Sequence, residues 1–402
     1  MIQLSRRGFL TGLSGTAALV FSPPWVRAVQ SPFPELRVSG SPGTLGLAHG
    51  KAFSAQIGKN VRFYLQWLSK ATAANEAKVL NIAHQFEPVL AKYFPDLLEE
   101  IDGVAKGAKR SRDQILVLNA RTDLLVMAQR KVGKMRAARN GSSFVVAGCT
   151  ALVLTGEIEG KRYLTLGQNW DWRPELSANT VLLRLKPKDK PTLVTFTEAG
   201  MVGKVGFNDQ RLGVCLNFLS HKSENPEGPF GVPVHCLLRL VMESASLEQA
   251  YKTVAWAPRC ASANFMMAQH SLNGPLAMSV EWTPTTVARQ VLQGEGLVHT
   301  NHFLDTALAK GQEDDLGRST SNRYEKATQL AQKWQHKIED PTMRLEKILR
   351  DRQGAPYSVS KTAAQDSPSE TLAGIIMDLS RNRLLLAKGA PHRAAFVSCP
   401  GC

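Results

Sequence analysis

Apolar and polar positions divide the chain into a helical first part and a β-rich second part. From about residue 30 to 128, apolar residues recur at helical spacing, with amphipathic runs near 52–70, 76–93 and 95–107. A further run, from Ser111 to Met127, begins with a serine suited to cap a helix. The pattern therefore predicts a helix-rich N-terminal region.

After Phe144 the chain changes to short segments with the composition of β-strands. They predict strands at 150–155, 162–167, 192–197, 213–218, 264–269, 276–282, 287–292, 371–378 and 383–388. Helical spacing returns near 233–256 and 320–350, and residues 353–370 are polar enough for a long surface loop. Many strands with helices bunched between them predict an α+β protein with layered sheets.

The first residues have the composition of an export signal. Arg6 and Arg7 precede a Gly/Ala-rich apolar run to Phe21, and a small residue suited to cleavage follows at Ala28. This run is short for a membrane-spanning helix, and no later segment predicts one. We therefore expect residues 1–28 to be a twin-arginine signal peptide and the protein to be periplasmic or otherwise extracytoplasmic.

Length, composition and charge favour a folded protein that does not bind nucleic acid. The 402 residues are 43% hydrophobic and 21% charged. The formal charge of +15 becomes +12 when the three arginines of the signal segment are subtracted. The densest basic patch, at residues 130–139, lacks interleaved aromatic residues. We interpret it as part of a linker over 128–143, and nucleic acid is not an expected partner.

The six cysteines do not form the pattern of a disulfide scaffold or a zinc site. Cys399 and Cys402 form a CxxC pair, but no second pair accompanies it. Either a local disulfide or two unreactive thiols is expected there. No histidines show the HExxH or a similar metal-ligand spacing, so the sequence predicts neither a metal site nor a cofactor.

The segment VVAGCTALVL, residues 145–154, places a cysteine directly behind a glycine at the start of a predicted strand. A polar bend follows, and the next strand ends in GQNWD, residues 167–171. If the bend is centred near Glu159, Cys149 lies opposite Asn169, with Asp171 one step beyond. The hairpin then brings a thiol, an amide and a carboxylate together, although a slip of one residue would turn side chains to the other face.

This arrangement suits chemistry on the chain itself. The Cys149 thiol can attack the carbonyl of Gly148 if the backbone there is strained and exposed, which glycine tolerates. Hydrolysis of the resulting thioester leaves a chain that begins with Cys149, and its free α-amine, with an unperturbed pKa of about 8, can serve as base for the thiol. The alternative is that Cys149 is a small buried strand residue.

These motifs together resemble a known family. Ala147-Gly148-Cys149-Thr150 and the GQNWD segment are similar to the penicillin-forming acyltransferases of the isopenicillin N type, which are N-terminal nucleophile (Ntn) hydrolases. Further similar segments follow in the same order along nearly the whole mature chain: 198–208, 233–244 and 300–303, with 48–50 and 100–108 upstream.

The resemblance implies a four-layer αββα sandwich with a helix-rich pro-region. It also implies self-cleavage between Gly148 and Cys149 into an α chain, residues 29–148, and a catalytic β chain, residues 149–402, which remain associated. Cys149 would be the nucleophile and Asp171 would hold its amine. Asn264 resembles the family's oxyanion donor, with a purely structural asparagine at a strand end as the alternative.

Other positions resemble supporting residues of the family's site. Arg323 is similar to an arginine near the nucleophile, but Asn322 stands immediately before it, which leaves the family's serine open between Ser319 and Ser321. Asn169 and Lys204 are further supporting candidates.

The function implied is an exported amidase or acyltransferase that carries an acyl group as a thioester. Hydrolysis of a small amide is the preferred prediction, with an N-acyl amino acid, a peptide or a β-lactam side chain as substrate. An acyl-CoA-dependent N-acyltransferase is the alternative, disfavoured because coenzyme A thioesters are cytoplasmic. Two further alternatives are a Cys/His hydrolase that leaves its chain intact, and an exported binding protein in which Cys149 is inert.

Overall fold

A computed structural model of the chain describes residues 31–136, 148–225, 227–312, 317–364 and 367–402. The predicted signal peptide, residues 1–28, lies outside the described residues, as do residues 137–147 before the proposed cut. Within the described ranges, no helix has both the length and the apolar character needed to cross a membrane.

The N-terminal region is helical, as the spacing predicts. Its helices are α1 (Pro42–Ala52), α2 (Ser54–Thr72), α3 (Glu76–His84), α4 (Glu87–Tyr93), α5 (Pro95–Ala108), α6 (Arg112–Asn119) and α7 (Arg121–Arg136). Ser111 caps α6 in a reciprocal capping box with Gln114. The run predicted as one segment to Met127 is two helices, and α7 continues to Arg136, so residues 128–136 of the predicted linker are helical.

Two mostly antiparallel sheets form the rest of the fold. The strands of the eight-stranded sheet, in spatial order, are β1 (Glu35–Gly40), β4 (Thr180–Pro187), β5 (Leu193–Glu198), β6 (Val205–Asn208), β7 (Leu212–Phe218), β8 (Ala263–Ser271), β9 (Gly274–Trp282) and β10 (Val287–Val291). Those of the six-stranded sheet are β11 (Gly296–His299), β2 (Cys149–Ile158), β3 (Lys161–Trp172), β12 (Glu370–Asp378), β13 (Arg383–Lys388) and β14 (Val397–Pro400). Among these strands, only β1 pairs in parallel, with β4.

The two sheets pack face to face and helices cover their outer faces. Alternate side chains of β2 divide between two cores: Ala151 and Val153 point between the sheets, and Leu152 and Leu154 point towards helices. The helices on the eight-stranded sheet are α8 (Val234–Met242) and α9 (Leu247–Trp256), and those on the six-stranded sheet are α11 (Gly317–Gln335) and α12 (Pro341–Leu349). The short helix α10 (Thr306–Ala309) precedes α11 along the chain. The layered α+β fold predicted from the pattern, and the four-layer αββα arrangement that the resemblance implies, are therefore confirmed.

One predicted segment differs in its surroundings. The described residues within 353–370 contain no helix before β12 begins at Glu370, but they are not simply a surface loop, because the stretch from Ser358 to Lys361 is buried. The reason is a long-range contact: the side-chain amide of Asn169 donates to the carbonyl oxygen of Val359 at 2.9 Å.

Candidate active site

The β2–β3 hairpin has a register one residue away from the predicted one. Its loop is the pair Glu159-Gly160, with φ values of 50° and 73°, so the bend lies between these residues rather than on Glu159. Positive φ at both positions is the type I′ geometry that suits a two-residue hairpin. Cys149 therefore pairs with Trp170, and the predicted pairing with Asn169 is wrong.

The one-residue difference in register places the Asn169 side chain on the opposite face of the sheet from the Cys149 thiol. Asn169 pairs with Thr150 and points to the helix-covered face of the sheet, where its amide nitrogen donates to the carbonyl oxygens of Leu349 and Val359 at 2.8 and 2.9 Å. The predicted supporting role of Asn169 becomes one of anchoring α12 and the segment after it.

The Gly148–Cys149 peptide lies at the head of β2 and is hydrogen-bonded on both sides. The carbonyl oxygen of Gly148 accepts from the backbone N–H of Asp171 at 3.1 Å. The Cys149 N–H donates to Oδ1 of Asn301 at 2.7 Å, and the Cys149 carbonyl oxygen accepts from Nη1 of Arg323 at 2.6 Å. Side chains and backbone from distant parts of the sequence therefore fix this peptide bond.

Gly148 packs closely against a side chain that the sequence reasoning did not connect with it. The residue is buried, so the expected exposure of the backbone there is wrong. A Cβ atom at this position would lie 2.6 Å from Nη2 of Arg323. Glycine is needed because the guanidinium packs directly on the backbone.

Arg323 links three elements around that bond. Its Nη2 donates to Oδ1 of Asn301 at 2.9 Å, and its Nη1 also donates to the Thr150 hydroxyl at 3.1 Å. Its Nε donates to the Ser319 hydroxyl at 3.3 Å, one turn earlier on α11, whereas Ser321 is exposed. Of the two serines left open by the sequence, the structure brings Ser319 to the arginine.

Asp171 lies beside the bond with one oxygen uncommitted. Its Oδ1 accepts from the Thr371 hydroxyl at 2.6 Å, and its Oδ2 is buried with no hydrogen-bond partner among the described residues. Burial raises the pKa of Asp171 to about 6, against the opposing charges of Arg323 and Lys361. Because neighbouring strand residues point to opposite faces, the carboxylate and the Cys149 thiol leave the sheet on opposite sides.

Two asparagines connect the other sheet to Cys149. Asn217, opposite Asn264 in the β7–β8 pair, donates to the Cys149 carbonyl oxygen at 3.2 Å. The amide nitrogen of Asn264 donates to Oδ1 of Asn217 at 3.1 Å, and its Oδ1 accepts from the Ser279 hydroxyl at 2.7 Å. The predicted oxyanion donor is thus one hydrogen bond further from Cys149 than Asn217.

Sequence reasoning missed Asn217 and gave Asn301 no role. A signal was present for the first, since an asparagine within the buried strand LGVCLNF must have a hydrogen-bond partner. The contact of Asn301 with Cys149 spans 152 residues, and no local pattern reports such a distance.

The thiol opens on a small cavity of about 20 Å³ between the sheets and α7. Cys149 itself is 7% exposed, and burial, followed by the negative charge of Asp171, raises its pKa, while Lys204 and Arg323 oppose the shift. The cavity is lined by Arg121, Thr122, Leu125, Cys149, Gln168, Trp170, Trp172, Lys204, Leu216 and Phe218. A space of this size holds about one water molecule and no substrate.

Lys204 belongs to a buried charge cluster at this cavity. Its Nζ lies 3.2 Å from Oε1 of Glu198 and 3.2 Å from the centroid of the Trp170 ring. Glu198 also pairs with Arg121 at 3.1 Å and accepts from the Tyr64 hydroxyl at 2.6 Å. Two cations, Lys204 and Arg121, therefore share the one carboxylate of Glu198 at the cavity that Cys149 lines.

His49, His299 and His302 are hydrogen-bonded to groups other than the Cys149 thiol. Nε2 of His49 accepts from the Gly200 N–H at 3.0 Å, and burial lowers the pKa of His49 to about 3. His302 bonds the Thr320 hydroxyl at 2.9 Å, and His299 pairs with Glu281 at 2.7 Å. Since these rings are committed elsewhere, the geometry disfavours a Cys/His pair.

The sequence left open whether the Cys399 and Cys402 pair forms a disulfide. Cys399 and Cys402 are free thiols, so the local disulfide is not formed in this structure.

In the helical region, His84, Glu87 and Asp113 place three ligand atoms within 4.8 Å of one another. Arg112 pairs with Glu87, and His84 bonds Asp113 at 3.1 Å, so these side chains also satisfy one another as an ion-paired cluster.

Comparison with known proteins assigns the family. Residues 158–393 match the model of the acyl-coenzyme A:6-aminopenicillanic acid acyl-transferase family, which is more than half of the chain. The chain belongs to this family. The match includes Asp171, Lys204, Asn264 and Arg323.

Individual relatives agree with the family. The 40 kDa form of acyl-coenzyme A:6-aminopenicillanic-acid-acyltransferase from Emericella nidulans is 28% identical over 355 residues, covering 88% of this chain and 92% of the relative.

Two solved structures are also similar. The N-acylethanolamine-hydrolyzing acid amidase ortholog of Caenorhabditis elegans is 15% identical, with a TM-score of 0.42 over 57% of this chain and 93% of that one. Penicillin V acylase from Agrobacterium tumefaciens is 16% identical, with a TM-score of 0.40 over 60% and 83%. The family match and the relative from Emericella nidulans support an enzyme that acts on acyl groups.

Proposed function

We propose that this acyl-transferase relative is a precursor that cuts its own Gly148–Cys149 bond and then carries acyl groups as a thioester on Cys149. The observation that carries the proposal is the set of contacts to that one peptide bond. The backbone of Asp171 donates to the carbonyl oxygen before it, Asn301 accepts from its N–H, and Arg323 holds the carbonyl oxygen after it. An ordinary strand end has no need of a buried arginine and asparagine.

These contacts favour attack by the thiol on the preceding carbonyl. The backbone N–H of Asp171 faces the Gly148 oxygen, where negative charge develops when sulfur adds to the carbonyl carbon. Such preorganised donors stabilise the charged intermediate without reorganising. Hydrolysis of the thioester then separates an α chain, residues 29–148, from a β chain, residues 149–402.

After the cut, the free amine of Cys149 becomes the base for its own thiol. The uncommitted Oδ2 of Asp171 is available to hold that amine, and it carries a charge above the pKa of about 6. Asn217 and Asn264 then supply amide donors on the side of the other sheet.

Water is the proposed acyl acceptor, and the substrate is a small amide such as an N-acyl amino acid, a peptide or a β-lactam side chain. This choice rests on proposed export by the twin-arginine route, which would remove the enzyme from cytoplasmic coenzyme A thioesters. The acyl-coenzyme A acyltransferase of Emericella nidulans supports the second candidate, transfer from acyl-coenzyme A to an amine.

The test is an assay of the purified processed protein on these amide classes, with and without acyl-coenzyme A and 6-aminopenicillanic acid. The expected result is hydrolysis of one amide class by the wild type and by Cys236→Ala, which removes a buried thiol on α8, but not by Cys149→Ala. Mass spectrometry of the quenched enzyme should find the acyl group on Cys149. Activity in Cys149→Ala would contradict the thioester, and product formed only with acyl-coenzyme A would select the second candidate.

A further inference from the structure

The proposed self-cleavage cannot use the base proposed for the later acyl transfer, because the free α-amine of Cys149 exists only after the cut. Before the cut, the Cys149 nitrogen is part of an amide and donates its hydrogen to Asn301 at 2.7 Å, so it cannot accept the proton of the thiol. Burial also raises the pKa of that thiol, so it does not ionise unaided. A second group must take the proton in the precursor.

Asp171 is poorly placed for that step. Its carboxylate lies on the helix-covered face of the six-stranded sheet, hydrogen-bonded to Thr371, whereas the side chain of Cys149 belongs to the core between the sheets. Lys204, in contrast, lines the same cavity as Cys149. Its Nζ lies 3.2 Å from the ring centroid of Trp170, which is the cross-strand partner of Cys149.

The size of the cavity suits proton transfer between the two side chains. About 20 Å³ accommodates one water molecule, and one intervening water is sufficient for general-base catalysis. Lys204 is 1% exposed, so bulk solvent does not compete for its amine.

The surrounding charges favour a neutral amine on Lys204. Arg121 is permanently charged and already pairs with Glu198, so a charged Lys204 is a surplus buried cation. Burial first, and Arg121 second, lower the pKa of Lys204 well below its ordinary value, with Glu198 and Cys149 opposing. The other titratable groups of this cluster are Tyr64, bonded to Glu198, and His235, which bonds the carbonyl oxygen of Gly203.

We propose that Lys204 is the proton acceptor for the Cys149 thiol in the self-cleavage of the precursor, acting across the cavity that the two side chains share. The inference rests on the proposed function. The proton leaves sulfur for Nζ, the sulfur–carbon bond forms at Gly148, and the carbon–nitrogen bond then breaks. Nζ returns the proton to the departing nitrogen of Cys149, which becomes the free α-amine, and water hydrolyses the thioester.

The test follows cleavage of the full chain as it is made in a reconstituted translation system, with a radiolabel pulse and a timed chase. Lys204→Ala and Lys204→Arg are compared with the wild type and with Lys190→Ala, a control lysine paired with Asp96 and Glu243. Both Lys204 variants should cleave more slowly by a factor on the order of 10² to 10⁴, because alanine has no base and arginine does not release its proton. Lys190→Ala should cleave at the wild-type rate.

Added ethylamine distinguishes a proton acceptor from a structural lysine. It should restore part of the cleavage of Lys204→Ala, at a rate that rises with pH as the free amine becomes available, and should not affect Lys204→Arg. Wild-type speed in Lys204→Arg, or failure of ethylamine to restore Lys204→Ala, would overturn the role of Lys204 while self-cleavage stands. A wild-type chain that stays intact would overturn both proposals.

Discussion

At the scale of single residues, the site depends on contacts that fix one peptide bond between buried polar groups. Arg323, Asn301 and the Asp171 backbone each contact Gly148 or Cys149, and the arginine reaches Cys149 across 174 residues of sequence. The motifs led to the chemistry proposed for Cys149 and Asp171. The partners of Cys149 could not, because long-range contacts leave no periodic trace in the sequence.

Replacing Asp171 with asparagine tests its proposed hold on the Cys149 amine. The substitution keeps the shape and the acceptor for Thr371 but removes the charge, so we expect turnover reduced by about 10² or more. In the wild type, turnover should fall as the pH drops through about 6, because the carboxylate then takes a proton. Rate measurements from pH 4 to 8 check both points.

The control for this prediction is the acidic limb of the pH profile. Processed Asp171→Asn should lack the acidic limb near pH 6, since an amide does not titrate there. Full activity in processed Asp171→Asn would mean that a different group holds the amine.

The two asparagines should act as one unit. Asn264→Ala should lower the maximal rate by a factor on the order of 10² to 10³, as loss of an oxyanion donor does. Asn217→Ala should have a similar effect, because its amide joins Asn264 to Cys149. The double variant should be little slower than the slower of the two single variants. Additive losses in kcat would show that the two residues act separately, and an unchanged rate in Asn264→Ala would leave it a structural residue.

At the scale of elements, the period of the hydrophobic pattern predicted the helical region and most strands, but it missed β1 and the eight-residue β4, which is buried along most of its length and does not alternate. Strands of four residues, such as Val205–Asn208 and Gly296–His299, are too short to show alternation, and the sequence prediction did not identify them. The hairpin register was missed by one residue because Glu159 and Gly160 together form the turn. That single step decides which side chains share a face with Cys149.

The Glu159-Gly160 turn can be tested by substitutions that leave the residues around Cys149 unchanged. Gly160 has φ of 73°, and no atom lies within 4 Å of the position that a Cβ would take, so Gly160→Ala should cost only backbone strain, about 1 kcal/mol of unfolding free energy. Gly160→Asn should cost less, because asparagine tolerates this backbone region. Chemical denaturation measures both values. Equal stability of all three proteins would contradict the assigned turn, and cleavage at Gly148 should be unaffected.

At the scale of the whole molecule, the segments before and after the proposed cut form one structure. β1 completes the eight-stranded sheet beside β4, and Tyr64 of α2 donates to Glu198 of β5. Helices α2 to α6 share a core with the strands. The sequence predicted the layers, but the resemblance alone implied that the two chains remain associated.

We therefore expect the α and β chains to stay together after cleavage. The buried pair between Arg239 and Glu100, at 2.9 Å, joins the two segments and is little screened by salt. The processed protein should elute as one species from a size-exclusion column in 1 M NaCl and separate only in denaturant. Elution of the β chain alone in native buffer would contradict this prediction.

The central claim is that the chain makes its own N-terminal nucleophile, and the mass of the purified protein tests it most directly. The wild type should consist of two chains, with Cys149 as the first residue of the larger one, and Cys149→Ala should remain uncut because it lacks the attacking sulfur. An active wild type that remains a single chain, with Gly148 and Cys149 still joined, would contradict the account, because the proposed base would then be locked in an amide.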